Sequence, residues 1–222
     1  MPRAIFEKEL NEIKSDVVQM GRMVEQSILK SVDALKRQDL ITAKKVVDED
    51  SAINDKRFEI EDKCIRVMAT QQPMAADLRQ LVAVLNIIVD LERMADHAEG
   101  IARVTLRIGK EPLLKPLIDI PRMAQLSTNM LKQSIDAFIK HDVKMAESVF
   151  GMDDEVDDLY HQVFREVLTY MISDPKNIDK GTYLIWVAHD LERVADRSTN
   201  IAERVVFAVT GKMKENAGSK FA

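Results

Sequence analysis

Apolar residues return every three to four positions along most of the chain, the period of an amphipathic helix. Val84, Ile88, Leu91, Ala95, Ala98 and Ala102 make one such stripe, with charged residues beside it. The pattern and its interruptions predict six helices: about Ile5 to Lys36, Leu40 to Thr70, Ala75 to Ile108, Pro121 to Lys140, Val143 to Ile172 and Asp179 to Thr210. Gln71-Gln72-Pro73 closes the second, because proline disfavours helix in the residue before it. Gly109 closes the third. Pro112, Pro116 and Pro121 then mark a connector, and Pro121 is tolerated in a first helical turn. Ser173-Asp174-Pro175 closes the fifth, and the polar residues from Lys212 onward are expected to fray. With 7 Gly and 6 Pro, and no proline between Pro2 and Pro73, the chain lacks the turn punctuation that sheets of this size require.

The helical pattern is written twice. Asp90-Leu91-Glu92-Arg93-Met94-Ala95-Asp96 returns as Asp190-Leu191-Glu192-Arg193-Val194-Ala195-Asp196, and both copies lead to an Ile-Ala pair, Ile101-Ala102 and Ile201-Ala202. Further upstream, Ser31-Val32-Asp33-Ala34-Leu35 matches Ser134-Ile135-Asp136-Ala137-Phe138. Asp50-Ser51-Ala52-Ile53-Asn54-Asp55 matches Asp153-Asp154-Glu155-Val156-Asp157-Asp158. The offset is 103 in these segments and 100 in the last helix of each unit, so the second unit is three residues shorter in its second loop. Each unit is a helix triplet, and short loops make neighbouring helices antiparallel. The expected fold is all-α, two tandem three-helix bundles related by an internal repeat. The first occupies residues 1–110, a connector 111–120, the second bundle 121–212 and a frayed tail 213–222. A helix of about thirty residues is about 45 Å long, so an elongated shape is expected.

Composition narrows the function. A net charge of -5 with 31% charged residues argues for a soluble protein and against a nucleic-acid binder, which needs a basic face. The lone Trp186 supports no base-stacking platform. No uncharged run is long enough to span a bilayer, and Met-Pro-Arg-Ala-Ile-Phe-Glu lacks the apolar core of a targeting peptide. Cys64 is the single cysteine; it sits in a helical pattern, reads as a small core residue and fits a reducing compartment.

The chemistry lies in acid couples spaced by one helical turn. With Leu91 at the centre of its stripe, Glu92 and Asp96 fall on the shoulder, and Glu99 follows on the same flank. Glu192 and Asp196 repeat the couple. The second helix of each unit adds Asp50 with Asn54, and Asp153 with Asp157. Two adjoining helices with such couples can clamp a hard cation through oxygen donors. The same spacing also describes a solvated flank, or partners for basic residues, and Arg93 and Arg193 stand inside the motif as internal counter-charges. Oxygen-rich sites accept Mg, Mn, Ca, Fe or Zn, so spacing does not select the metal.

Other constellations are weaker. His97, His141, His161 and His189 have no histidine counterparts in the other unit, which favours surface or packing roles. The Glu-x-x-His pairs of a di-iron bundle are absent from the sequence, as are a glycine-rich phosphate loop, Gly-x-Ser-x-Gly and His-Glu-x-x-His. Asp77-Leu78-Arg79 has no second copy and suits either a partner contact or a loop-bracing salt bridge.

Gln71-Gln72-Pro73-Met74-Ala75-Ala76-Asp77-Leu78-Arg79, followed by Asp90-Leu91-Glu92-Arg93-Met94-Ala95-Asp96-His97-Ala98 and Ile101-Ala102, closely resembles the PhoU family. Asp190-Leu191-Glu192-Arg193-Val194-Ala195-Asp196 with Asn200-Ile201-Ala202-Glu203 resembles that family's second repeat. The resemblance covers nearly the whole chain. It implies two three-helix bundles and a cytoplasmic, non-enzymatic regulator of phosphate homeostasis. Such a regulator acts on the phosphate ABC transporter ATPase and the phosphate sensor histidine kinase, restraining uptake and starvation signalling when phosphate is plentiful. It also implies a homodimer, peripheral at most at the inner membrane surface. The family's Glu(Asp)-x-x-x-Asp motifs, which bind divalent or trivalent metal ions and iron clusters in some members, map onto Glu92 with Asp96 and Glu192 with Asp196. By extension they reach Asp153 with Asp157, and Asp50 with Asn54, where the amide departs from the acidic pattern. Two other classes compete with this reading: a carboxylate-bridged metalloenzyme such as a metal-dependent phosphatase, and a metal-free helical adaptor. Two metals about 3.5–4 Å apart support hydrolysis, but no nucleophile or general acid recurs with the acids.

Overall fold

The computed structural model describes residues 2–212, and the expected tail 213–222 lies outside them. The described chain folds into α1 (Pro2–Arg37), α2 (Leu40–Gln71), α3 (Ala76–Ile108), α4 (Asp119–Lys140), α5 (Val143–Ser173) and α6 (Ile178–Thr210), with a 3₁₀ turn at Pro175–Asn177 before α6. All six expected helices are present. The largest differences in bounds are at starts. α1 begins at Pro2 and not Ile5, and α4 at Asp119 and not Pro121, which leaves Pro121 in the first turn, where its missing N–H is not needed.

The first loop of each unit shows why the chain turns where it does. Gln38 and His141 both take the left-handed conformation, with φ of 52° and 54°. The residue after each donates its N–H back to the helix just ended, Asp39 to Ala34 at 2.9 Å and Asp142 to Ala137 at 3.0 Å. The same two aspartates then cap the next helix. Asp39 Oδ1 accepts from the N–H groups of Ile41 and Thr42, and Asp142 Oδ1 from that of Met145, all at 3.0 Å. Such a cap contributes about 1 kcal/mol. The second loops differ: residues 72–75 carry unit one across, with Gln72 and Ala75 both at φ 48°, whereas unit two uses the 3₁₀ turn.

Within each unit the three helices pack on one another, and the units meet through α3 against α6 and α1 against α4. α3 and α6 are therefore central. The stripe read from the sequence is buried: Val84, Ile88, Leu91, Ala95, Ala98 and Ala102 are fully buried, as are Leu191 and Ala195, and Ala102 packs on Ala34, Ala43 and Val46 of α1 and α2. Each buried Val, Leu or Ile contributes about 1.5–3 kcal/mol. One continuous apolar cluster runs from Phe6 in α1 to Val206 in α6, so the bundles share a core. Cys64 belongs to it, and burial pushes its thiol pKa up to about 12. No helix among the described residues is long and apolar enough to cross a membrane.

The connector, residues 109–118, starts at Gly109 with φ 64°, where a side chain would be strained. It is fastened by Lys115, which is buried and pairs with Glu166 of α5 and with Asp119 at 4.0 Å. Asp77 of the unrepeated Asp77-Leu78-Arg79 pairs with Arg3, which ties the start of α3 to α1; this is the bracing alternative.

Candidate functional site

Each unit presents an acid cluster on the groove between its second and third helices, because the couples stand beside the buried seam and not opposite to it. In the second unit, Asp153 and Asp157 of α5 are buried, each 6% exposed. Glu192 and Asp196 of α6 are half-buried. Burial pushes the Asp153 carboxyl up to about 7, helped by the negative charges of Asp196, Asp157, Asp154 and Glu192. Asp196 is raised as well, by burial first, with Arg193 opposing and Glu192 and Asp157 adding to the rise. Residues from two helices thus act on one another as one charged group. Arg193 supplies compensation from inside the motif, with Nη2 2.9 Å from Glu192 Oε1 and Nη1 2.8 Å from Asp196 Oδ2. His189 Nδ1 stands 2.9 Å from the other Glu192 oxygen.

The first unit repeats the layout with less charge and more exposure. Asp50 and Asn54 of α2 are half-buried, as is Glu92 of α3, while Asp96 is exposed. Asn54 Nδ2 donates to Asp50 Oδ2 at 3.2 Å. Burial raises the Asp50 carboxyl, and the charges of Glu99, Asp96 and Glu92 raise it further, against the Asn54 hydrogen bond. Asp96 keeps a side open to solvent, yet partial desolvation by its neighbours raises its carboxyl, with His97 and Arg93 opposing and Glu99 adding. Arg57 of α2 takes the counter-ion role for Glu92, at 3.6 Å. Arg103 holds Glu99 at 2.6 Å.

All eight candidate positions therefore fall into two groups of four: Asp50, Asn54, Glu92 and Asp96, and Asp153, Asp157, Glu192 and Asp196. Their donor set is oxygen throughout, which suits a hard cation. Among the described residues, Asp153 Oδ1 and Asn54 Oδ1 are buried without a hydrogen-bond partner, one in each cluster. A buried oxygen left unpaired is costly, and a cation in the groove would satisfy it. The side chains fit such an ion in kind but do not close around one point: among the described residues no three His, Cys, Asp or Glu side chains are grouped closely enough to hold a metal ion.

Further pairs, which the helical pattern does not predict, cross between the units. Asp90, which opens the motif, is buried against α6, with Arg197 Nη1 at 3.5 Å and Asn200 Nδ2 at 3.4 Å from its Oδ1. Its copy Asp190 stands with Oδ1 3.0 Å from His97 Nδ1. His97 and Arg197 occupy the same repeat position, so each unit lends its aspartate to the other. The signal was present in the invariance of that first aspartate and the basic character of both mates.

A protein with this six-helix, twice-written bundle and paired acid grooves belongs to a defined class of duplicated helical-bundle proteins. The PhoU domain model matches residues 17–105 and again residues 120–205. The phosphate-specific transport system accessory protein PhoU homolog of Clostridium acetobutylicum is 38% identical over 213 residues, covering 96% of this chain and 97% of that protein. The protein of the same name from Aquifex aeolicus is 40% identical over 186 residues, 84% of each chain. The crystal structure of PhoU from Pseudomonas aeruginosa superposes with a TM-score of 0.88 at 33% identity, covering 93% of this chain and 100% of that one. The chain belongs to the PhoU family.

Proposed function

We propose that the protein is an accessory regulator of phosphate-specific transport. It restrains uptake and phosphate-starvation signalling by docking on the phosphate ABC transporter ATPase and on the phosphate sensor histidine kinase. It works from the cytoplasm, at the inner membrane surface, as a homodimer. The observation that carries this reading is full-length kinship, across both repeats, with proteins named for phosphate-specific transport. The absence of a spanning helix among the described residues is consistent with action from one side of the membrane. The protein acts by binding and not by catalysis.

The two acid clusters are proposed to hold divalent or trivalent metal ions, iron included, through Glu192, Asp196, Asp153 and Asp157 in one unit and Glu92, Asp96, Asp50 and Asn54 in the other. A bound ion would supply charge neutralisation between helices and stabilise the folded chain by linkage. The residues' own part is to present oxygens on two facing helices and to exchange a guanidinium partner for a cation.

Complementation tests both parts. In a strain lacking its own copy, the chain is expected to restore repression of a starvation reporter at high phosphate. A reporter that stays derepressed sinks the regulatory reading. Metal content unchanged after joint replacement of Glu92, Asp96, Glu192 and Asp196 by alanine would remove the ligand assignment. Lost metal with intact repression would leave a helical adaptor with a structural ion.

A further inference from the structure

At the crossing of α3 and α6 the two repeats meet as mates, and the mates differ. On one side Asp90 faces Arg197 and Asn200. On the other, Asp190 faces His97, and the position matching Asn200 is Gly100. A Cβ on Gly100 would stand 3.1 Å from Asp190 Oδ2, so the missing side chain keeps that oxygen approachable. The space opens into a groove of about 300 Å³ walled by Gly100, Arg103, Arg107, Trp186, His189 and Asp190. That size is at the lower end for small-molecule sites.

The groove's chemistry belongs to one side only. The repeat mates of Arg103, Arg107, Trp186 and His189 are Glu203, Phe207, Asn86 and Val89. Arg103 and Arg107 stand one turn apart on α3; Arg103 is paired with Glu99 at 2.6 Å, so an incoming phosphate would share that guanidinium with the carboxylate while meeting Arg107. Guanidinium groups favour phosphate, which they grip in a planar fork. Trp186 is 46% exposed and meets the Tyr183 ring in a tilted contact, with centroids 5.7 Å apart and planes at 57°, so part of the indole stays accessible. One indole makes no platform for a strand, but it suffices to stack a single base. Asp190 contributes an acceptor for an amino or hydroxyl group. His189 is tethered to Glu192 and fixes the wall.

We propose that this groove binds a mononucleotide, with its base on Trp186, its phosphate between Arg103 and Arg107, and an amino or hydroxyl group on Asp190. The proposal rests on the groove and not on the metal or regulatory reading.

Trp186 is the single tryptophan, so its fluorescence reports on the site directly. The full chain titrated with AMP, excited beyond base absorption, is expected to show saturable quenching with a Kd below about 1 mM. Arg107→Ala should weaken it about tenfold. Gly100→Asn, which installs the other side's residue, should remove it. Adenosine should bind at least about tenfold more weakly, and inorganic phosphate should leave the emission unchanged. The proposal is overturned by an unsaturable response to AMP, by equal binding in wild type and Arg107→Ala, or by phosphate competing as well as AMP. Should Gly100→Asn fail to fold, Trp186→Leu assayed by equilibrium dialysis with labelled AMP takes its place. Undiminished binding there is equally fatal.

Discussion

The two acid grooves have the same helices, the same spacing and nearly the same motif, yet they hold their charge differently. In unit two, Asp153 and Asp157 are buried and Arg193 sits between Glu192 and Asp196. In unit one the amide of Asn54 replaces one acid, Asp96 is exposed, and Arg57 approaches Glu92 from the neighbouring helix at 3.6 Å. The duplicated backbone fixes where the carboxylates stand, while burial and the choice of arginine decide what they cost. The second groove carries four acids, two of them buried; the first carries three acids and an amide, with Asp96 exposed.

The largest difference is expected at Asp153. Its folded-state pKa, about 7, lies above the ordinary carboxylate value of 3.8, so the folded chain keeps a proton that the unfolded chain gives up. In metal-stripped protein, stability should fall as pH rises from about 4 to about 7 and then level off. Asp153→Asn should abolish most of that slope and stabilise the chain at neutral pH by on the order of 3 kcal/mol. Asp50→Asn should gain less than about 1 kcal/mol. Urea denaturation across pH decides between them, and a flat wild-type profile would contradict the burial of Asp153. Next in size is the effect of Arg193→Ala in metal-free protein, a loss of about 1 kcal/mol given its half-exposed setting. Arg93→Ala should change stability by less than about 0.5 kcal/mol. Equal losses would show that the two grooves are balanced alike. Smallest is Asn54→Asp, which makes the first groove resemble the second. Its manganese-dependent gain in melting temperature should exceed the wild type's by the equivalent of about 0.5–1 kcal/mol, and no extra gain would speak against cation binding in that groove.

How much of this was legible depended on whether the determinant was local. Helix lengths followed from apolar period and from breakers that the sequence prints, such as Gln71-Gln72-Pro73, Gly109 and Ser173-Asp174-Pro175, whereas the caps Asp39 and Asp142 come from the structure. The duplicated couples, and Arg193 as an internal counter-charge, were visible because they lie within one turn of a helix. What was not legible joins distant segments. Arg57, 35 positions before Glu92, gives no sign of facing it, and the exchange of Asp90 and Asp190 between units depends on how α3 crosses α6. The start of α3 shifted from Ala75 to Ala76 because Ala75 adopts φ 48°, a conformation that alanine seldom announces.

The common core has a further consequence for the molecule's mechanical unity. Since α3 and α6 pack as the central pair of one apolar cluster, a protease cut in the 109–118 strap would sever the polypeptide without parting its halves. The nicked pieces would stay clasped like a heterodimer, and each alone would expose its half of the seam to water.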